Sequence, residues 1–582
     1  MTLLSVAERA RVWRLLAHTA WQSILRWVHG GPLFRWRPFA GAPARLLIAP
    51  QDLRTADGTN AADIYAGRFV FAGQQIEANG RSPFEVEPPS RDWARALHGF
   101  GWLRHLKAAD TVVARQNARA LVDDWMRFCG YWHDTGWEQP VVARRVLAWL
   151  SQSPLILEDC DREFYRRFLR SLARQVRYLR RTMNETPDGV PRLTAAIAVA
   201  AATVSMSGQG RYVRQSLRRL DQELTRQILA DGGHVSRNPA ALLDILVDLL
   251  PVRHALTVQG LPTPQAVMQS IDRMMPMIRF FRHGDGAFAH FNGMGPTPAD
   301  LVATILAYDD ARGAPPSNAP HSGYQRLSAG DTVVLMETGC PPPPALSLNA
   351  HAGCLSFEMS SRRTRLIVNC GVSSSDRGTW RTVSRSTAAH STATIDDTSS
   401  ARFLSDPRYR DWLGAPIVAG PTQVPVTRDD GPDGLRVIAS HNGYQESHRL
   451  LHERELTLAT DGSVLDGIDR FMPTGKAVRG DEFALRFHLH PALKASTVRA
   501  GTAVLIVAPD GEAWEFVAPG CETVIEESIY LSDSYGHRRS EQIVVYGRVA
   551  HRREAAWQFR RTAAPQAVRR RVSDAGAEEL DL

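Results

Sequence analysis

The spacing of apolar residues changes once along the chain, and the change separates two kinds of secondary structure. From about residue 89 to residue 310, apolar residues recur every three or four positions, as they do in residues 115–128. This spacing places them on one face of a helix. Short turns rich in Gly, Pro and Asp separate at least seven such segments, which is typical of antiparallel helix pairs. The pattern predicts a helical array or an incomplete α/α toroid.

After about residue 322 the apolar spacing becomes alternate, which is the period of a strand. The strand-like segments read DTVVLMET, TRLIVNCG, LRVIASHNGY, RELTLATDGSVLDGIDRF, TAVLIVAPDGEAWEFVAP and EQIVVYGRV. Asp461–Gly462 and Asp510–Gly511 each interrupt one of them, and Asp-Gly is a strong hairpin signal. So many strands with little helix between them predict a β-sandwich or barrel.

These patterns divide the 582 residues into four parts. We predict an N-terminal helical extension over residues 1–44 and an incomplete toroid over 45–320. A large antiparallel β-sandwich follows over 321–565, after a loop rich in Pro, Ser and Asn, and residues 566–582 form a frayed tail. The fold class is therefore multidomain α+β.

The charge is +8, and nearly all of it is arginine, because the chain contains three lysines. Arginine forks bind carboxylate and sulfate groups through paired hydrogen bonds, so an acidic polysaccharide is a reasonable partner. A genome-wide preference for arginine explains the composition equally well. We predict no nucleic-acid partner, since no zinc-finger, RRM or helix-turn-helix signature is present.

The N-terminal segment and the other apolar runs predict no transmembrane span. Charged residues interrupt the place where a signal peptide needs its apolar core, so we predict a cytoplasmic protein, with the periplasm or cell envelope as the alternative. One face of this basic segment is apolar, and it would allow peripheral contact with an anionic membrane. Packing of that face onto the protein is the other interpretation. The oligomeric state stays open, and the six cysteines do not form a disulfide pattern.

Three segments combine polar side chains with glycines in a way that indicates chemistry. Residues 231–239 supply His234, Arg237 and Asn238 from a loop between two helices, although a helix-capping turn explains the glycines and Asn238. Residues 283–293 form a Gly-rich loop in which His290 and Asn292 are candidates for ligand binding. Asn292 would donate a hydrogen bond to a carboxylate of the ligand. A simple turn before the next helix is the alternative.

The third segment lies in the β domain and begins at Asn349 and His351, which strand alternation would place on one side. If the following strands pair as neighbours, His351, Asn369 and His390 converge. Two histidines and an oxygen ligand suit zinc, but an asparagine replaces the usual carboxylate. We therefore do not predict a bound metal, and zinc held by these three residues is the alternative.

The segments AHAGCLSFEM, RLIVNCG and RSTAAHSTATIDD resemble the C-terminal domain of heparinase II/III-like proteins. WARALHGFGWLRHL, RRVLAWL and QILADGGHVSRNP resemble the same family, so the resemblance covers about residues 45–560. It implies a toroid joined to a β-sandwich, with a cleft between them that cleaves uronic-acid polysaccharide by β-elimination. It also implies catalytic roles for His234, His351 and His390. Substrate contacts are expected from a larger set: Arg237, Asn238, His290, Asn292, Asn349 and Arg385.

Two departures from the family pattern bear on activity. Lyases of this family carry a Tyr-His pair where this chain has Ala240, Ala241 and Leu242, and Asn349 replaces a further histidine. A positioned acid or base contributes about 10²–10⁴-fold to a rate. A polysaccharide lyase is therefore one hypothesis, and a non-catalytic protein that binds acidic glycan or associates with the envelope is the other. A glycosidase ranks behind both, because these segments show no pair of carboxylates.

Overall fold

Helices dominate the first half of the computed structural model, which describes residues 6–30, 43–308, 313–373, 379–475, 482–533 and 536–564. The helices of this half are α1 Val6–Gly30, α2 Asn60–Tyr65, α3 Arg91–Gly99, α4 Leu103–Ala109, α5 Val112–Phe128, α6 Gln139–Ser151, α7 Ser153–Leu157, α8 Arg162–Thr182, α9 Val190–Ser205, α10 Gly210–Gln227, α11 Ala240–Val258, α12 Gln265–Phe280 and α13 Ala299–Leu306. A short hairpin, β1 Arg68–Phe71 and β2 Gln74–Glu77, lies between α2 and α3.

The alanine-rich helix α9 forms the centre of the helical region. It is buried on nearly every side and packs against α6, α10 and α11, as expected of a helix that is apolar all round. The surrounding helices are amphipathic instead. In α8, for example, Phe168, Leu172 and Leu179 face the core, while Asp161 accepts a hydrogen bond from the Phe164 N–H at 2.8 Å and caps the first turn.

The second half of the chain is built from antiparallel strands. The strands are β3 Asn318–Ala319, β4 Tyr324–Ala329, β5 Thr332–Glu337, β6 Phe357–Ser361, β7 Thr364–Val368, β8 Ala393–Ile395, β9 Arg402–Phe403, β10 Ile417–Ala419, β11 Val426–Gly431, β12 Gly434–His441, β13 Leu450–Leu458, β14 Val464–Pro473, β15 Glu482–Leu489, β16 Lys494–Val498, β17 Ala503–Val507, β18 Ala513–Val517, β19 Glu522–Tyr530, β20 Arg538–Arg548 and β21 Glu554–Ala563. Three short helices accompany them: α14 Thr379–Val383, α15 Pro407–Leu413 and α16 Gln445–His448.

Two large sheets share one apolar core. The first has the order β11-β12-β13-β14-β21-β18-β17-β16, and the second has the order β19-β20-β15-β7-β6-β5-β4-β3, with β8 also paired to β15. Phe487 of the second sheet packs on Trp557 and Phe516 of the first, and all three side chains are buried. The predicted helical domain followed by an antiparallel sandwich is therefore confirmed.

Both hairpins predicted from Asp-Gly pairs are present. The turn at Asp461–Gly462 joins β13 to β14, and the turn at Asp510–Gly511 joins β17 to β18. One local prediction was wrong. Asn349 and His351 do not alternate along a strand, because the chain turns irregularly there and the strand begins only at Phe357, so Asn349 is exposed while His351 is buried.

Helix α1 lies against the sandwich through one side and leaves another side open. Val12 is buried beside Leu404 and Val418, and Arg11 donates a hydrogen bond to the Val418 carbonyl at 3.0 Å. The packing predicted as one use of this segment is thus present. Across the described ranges, we find no helix long and apolar enough to cross a membrane.

Candidate functional site

A cleft of about 370 Å³ lies between the helical domain and the sandwich. Helices α6 and α11 and the loops before α9 and α11 form its helical wall, and the loop around Asn349 forms the opposite wall. Of the predicted site residues, Asn238, Asn292 and Asn349 line the cleft. The predicted histidines and arginines are not among its lining residues.

Three ionisable side chains line the cleft within the described residues: Arg144, Asp188 and Asp244. Two of them are already paired, since Arg144 bonds Asp248 and Asp188 accepts a hydrogen bond from Arg226 at 2.9 Å. Although burial opposes it, the bond from Arg226 lowers the pKa of Asp188. The lining therefore carries no surplus of positive charge.

Asp244 differs from the other two because its side chain is open to the cleft and has no hydrogen-bond partner among the described residues. Desolvation raises its pKa, and the neighbouring Asp248 adds to that effect while Arg144 and Arg54 oppose it. A carboxyl group with a raised pKa in a cleft is one mark of a functional group. It lies one helical turn after Ala240 and Ala241.

Behind the cleft, Arg237, Asn292, Tyr324 and Glu337 form a buried set that we call the interdomain network. Asn292 donates hydrogen bonds to the Tyr324 hydroxyl at 2.8 Å and to Glu337 at 2.9 Å. Its own side-chain oxygen accepts from the His351 N–H at 3.1 Å. The network joins loops of the helical domain to strands β4 and β5 of the sandwich.

Arg237 is the most connected member of this network. Its guanidinium donates to the carbonyls of Ser322, Gly323, Gly339 and Cys340 and forms an ion pair with Glu337 at 2.9 Å. The Arg237 backbone carbonyl also accepts from the Tyr324 hydroxyl at 2.6 Å. The side chain thus fastens the two domains, and its predicted contact with substrate stays a prediction.

His351 and His390 converge, as predicted, and their hydrogen bonds fix both tautomers. The Ser386 carbonyl can only accept, so His390 carries its proton on Nδ1, at 2.7 Å from that oxygen. His390 Nε2 therefore accepts from His351 Nδ1 at 2.9 Å. The lone pair of His351 is left on Nε2, and burial, with smaller effects of His390 and Arg385, keeps its pKa well below the ordinary value.

His234 lies in the predicted loop, but its ring is satisfied inside the protein. Its Nδ1 lies 2.7 Å from the Ser236 hydroxyl, and its Nε2 lies 3.0 Å from the side-chain oxygen of Gln227. Burial lowers its pKa to about 4. Of this group, Ser236 reaches the cleft and His234 stands behind it.

His290 and Asn369 belong to a second buried cluster, centred on Glu358. One oxygen of Glu358 accepts from the backbone N–H groups of His290 and Asn369 at 3.0 and 2.9 Å, and the other lies 3.0 Å from His283 Nε2. Burial lowers the pKa of His290 to about 4. Neither residue lines the cleft.

The remaining predicted residues, Asn238, Asn349 and Arg385, differ in exposure. Arg385 is buried and donates to the carbonyls of Ala350, Ser347 and Ala415 at 2.7–2.8 Å. The Asn238 side chain caps α11 by accepting from the Ala240 N–H at 2.9 Å. Asn349 is exposed, so its predicted contact with substrate fits its position best.

The residues proposed for zinc do not fit a metal site. His351 and His390 hydrogen-bond to each other, and the Asn369 oxygen accepts from the Ser391 N–H at 2.9 Å. Of the nitrogen and oxygen atoms that these three side chains could offer a metal, His351 Nε2 alone is not already hydrogen-bonded to another described residue. The asparagine also supplies no negative charge for a cation.

A second group with metal-ligand chemistry, which the sequence analysis missed, is His98, Cys129 and His133 in the described part of the helical domain. Trp125 Nε1 donates to His98 Nδ1 at 3.0 Å, and the Gly136 N–H donates to His133 Nδ1 at 3.1 Å. Both neutral rings must then carry their protons on Nε2, so neither offers a free lone pair. This group does not fit a metal either.

The three charged residues of the cleft were also not predicted from the sequence: Arg144, Asp188 and Asp244. They occupy helices α6 and α11 and the loop before α9, outside the three segments that the sequence singled out. Apolar periodicity locates a helix, but it does not indicate which of the polar residues line a cleft between two domains.

Comparison with known proteins agrees with this architecture. The family model described as Heparinase II/III-like, C-terminal, matches residues 311–566. FtsZ-localized protein C of Caulobacter vibrioides (strain NA1000 / CB15N) is 33% identical over 556 residues, which are 92% of this chain and 95% of that protein.

Among solved structures, a crystal structure of heparinase III superimposes with a TM-score of 0.69 and 14% identity, covering 96% of this chain and 92% of that one. Heparan sulfate lyase HepC from Pedobacter heparinus superimposes with a TM-score of 0.60 and 15% identity, covering 95% and 89%. These two similarities establish the fold. With the family match and the Caulobacter relative, we conclude that the chain belongs to the heparinase II/III-like family.

Proposed function

We propose that this chain is a non-catalytic protein on a polysaccharide lyase scaffold and that it localises with FtsZ. The observation that carries the first part is the composition of the cleft. No Tyr, His, Glu or Lys is among its described lining residues, and Ala241 stands on the helix whose start would carry the tyrosine. β-Elimination needs a base for the C5 proton and an acid for the leaving oxygen. Asp244 alone does not supply both.

The charge of the cleft supports the same proposal. A uronate carboxylate has to be neutralised before its α-proton is acidic enough to remove. Among the described lining residues, Arg144 is already paired with Asp248, and Asp188 is likewise paired with Arg226. The described lining therefore offers no unpaired cation to neutralise a uronate carboxylate.

The proposed partner comes from the Caulobacter relative, which is named for its localisation with FtsZ and matches nearly the full length of both chains. We expect a fluorescent fusion of the full chain to colocalise with FtsZ in cells. We also expect the purified protein to sediment with FtsZ polymers and to stay in the supernatant without them. Diffuse fluorescence together with no sedimentation would contradict this part of the proposal.

The test of the first part is ultraviolet absorbance during incubation with heparin, heparan sulfate, chondroitin, hyaluronan, alginate and polyglucuronate. β-Elimination creates an unsaturated uronate that absorbs where the intact chains do not. We expect no rise with any of them. A rise that disappears in His351→Ala would overturn the non-catalytic assignment.

The second candidate is a lyase acting on acidic polysaccharide, and one observation favours it. The hydrogen bonds of His390 leave an unprotonated Nε2 on His351, which is the form a base requires. The same absorbance measurement decides between the two candidates.

We also propose that the protein is cytoplasmic and contacts the membrane peripherally through α1. Trp13, Trp21 and Ile24 are 65%, 60% and 53% exposed, and a rotation of 100° per residue places them on one side of α1. Arg9 and Arg14 flank that side. We expect Trp13→Ser with Trp21→Ser to reduce sedimentation with anionic vesicles, and unchanged sedimentation would remove α1 from the proposal.

A further inference from the structure

A groove on the helical domain, away from the cleft, is lined by several arginines. It has a volume of about 370 Å³ and lies between the end of α8 and the middle of α10. Arg180 and Arg181 line it from α8, and Arg218 and Arg219 line it from α10. We call it the arginine groove. Within the described chain, none of its lining residues is Asp or Glu.

The positive charge of the groove is only partly compensated by the protein. Arg219 bonds the Asn184 side chain and lies 3.4 Å from Glu223, which also pairs with Arg226. Arg180, Arg181 and Arg218 have no carboxylate within salt-bridge distance among the described residues. Three guanidiniums therefore share one pocket without a counter-charge.

The surroundings of the groove add to this excess. Arg180 stacks on the Tyr212 ring at 3.6 Å, and Arg211 lies 4.5 Å from the same ring. Desolvation, together with the charges of Arg181 and Arg180, lowers the pKa of Arg177. Crowding of like charges is costly, and an anion in the groove would relieve it.

We propose that the arginine groove is a binding site for a phosphate group. A phosphate offers several acceptor oxygens and up to two negative charges, so several guanidinium forks can bind it at once. A carboxylate has two oxygens and one charge and would leave part of the arginine set unmatched. Polar side chains of Asn184, Ser216 and Gln222 complete the lining and can bind the groups attached to the phosphate.

The phosphate has two possible sources, a phospholipid headgroup or a soluble phosphate compound. The position of α1 favours the lipid, because α1 packs against the turn Met183–Glu185 at the edge of the groove and exposes Trp13 and Trp21. A headgroup site beside an interfacial helix is a common arrangement of membrane-bound surfaces.

The test compares two double variants of the full chain that lose the same charge. Arg181→Gln with Arg218→Gln removes the two exposed arginines that line the groove. Arg166→Gln with Arg170→Gln removes two exposed arginines of α8 that do not line it. Both proteins should retain the unfolding temperature of the original chain in chloride, because all four side chains are exposed.

In the lipid arm, each protein is sedimented with phosphatidylcholine vesicles that contain or lack phosphatidylglycerol. We expect the groove variant to bind the anionic vesicles at least about 10-fold more weakly, and the control variant to change less than about 2-fold.

In the soluble arm, the unfolding temperature is measured in inorganic phosphate and in chloride at equal ionic strength. A rise in phosphate that the groove variant lacks, without vesicle binding, supports a soluble source.

Two outcomes would overturn the proposal. One is an equal loss of vesicle binding in both double variants, which would mean that general positive charge is responsible. The other is no specific effect in either arm. Both are distinguishable from failure of the α1 contact, because Trp13→Ser with Trp21→Ser leaves all four groove arginines in place.

Discussion

The interdomain network and the cleft share Asn292, yet they are built in opposite ways. In the network, the polar atoms of Arg237, Asn292 and Tyr324 point at other protein atoms across the domain boundary. In the cleft, the exposed groups are Asn349 and Asp244, and they have few partners or none. The comparison teaches that polar residues in a Gly-rich motif can serve to hold domains together, while the groups free to meet a ligand stand elsewhere. Substitutions in the network should therefore lower the stability of the fold, whereas substitutions in the cleft should leave it nearly unchanged.

The largest effect is expected at Arg237. Arg237→Met leaves Glu337 buried without its ion pair and frees four carbonyls, so we expect a loss of about 3–5 kcal/mol in the free energy of unfolding. Urea unfolding followed by tryptophan fluorescence measures it. The matched control is Arg381→Met, which removes an exposed arginine beside the cleft and should cost less than about 1 kcal/mol. Equal losses would show that the network is no more structural than the cleft wall.

The next effect is a pH dependence from the buried histidines behind the cleft. Burial lowers the pKa of His234 from 6.5 to about 4, so the folded state binds its proton less readily than the unfolded state does. Its contribution to stability is complete above pH 6.5 and is lost as the pH falls towards 4, by about 3 kcal/mol.

Unfolding free energies measured across that window should therefore decline with falling pH. His234→Gln should decline less, while His254→Gln, at an exposed position of α11, should follow the original chain. A decline of the same slope in His234→Gln would show that this ring is not the source.

Two asparagines offer a matched pair for the same comparison. Asn292→Ala removes three buried hydrogen bonds and leaves the His351 N–H without its acceptor. We therefore expect a loss of about 2–3 kcal/mol in the free energy of unfolding. Asn349→Ala removes one exposed bond to Arg381 and should cost less than about 1 kcal/mol. Thermal unfolding of the two variants checks the difference, and a reversed order would contradict the assignment of Asn292 to the network.

The sequence predicted the fold better than the site. Apolar spacing and Asp-Gly turns located helices, strands and two hairpins, because these depend on local pattern. The convergence of His351 and His390 was predicted only on the condition that the strands between them pair as neighbours. The burial of Arg237 and Arg385 was not predicted, since their carbonyl acceptors are thirty or more residues away in sequence. The cleft residues were missed for a related reason, as Asp188 and Asp244 become neighbours of one cavity only through the packing of separate helices.

The smallest stability effect is expected at Asp244, and it tests the cleft side of the comparison. Its raised pKa means that the surroundings favour the neutral form, so Asp244→Asn should leave the unfolding free energy at pH 7 unchanged or raise it by less than about 1 kcal/mol. Asp248→Asn is the contrasting variant. Burial opposes the charge of Asp248, but Arg144 and Arg54 hold its pKa below the ordinary value. Its loss leaves Arg144 without its carboxylate and leaves Arg54 with only the longer contact to Asp52, at 3.6 Å. We expect Asp248→Asn to destabilise by several kcal/mol under the same conditions. If Asp244→Asn instead destabilised as strongly, the carboxyl group would be a structural member of the Arg144 cluster, and the cleft would retain no ionisable group free for a ligand.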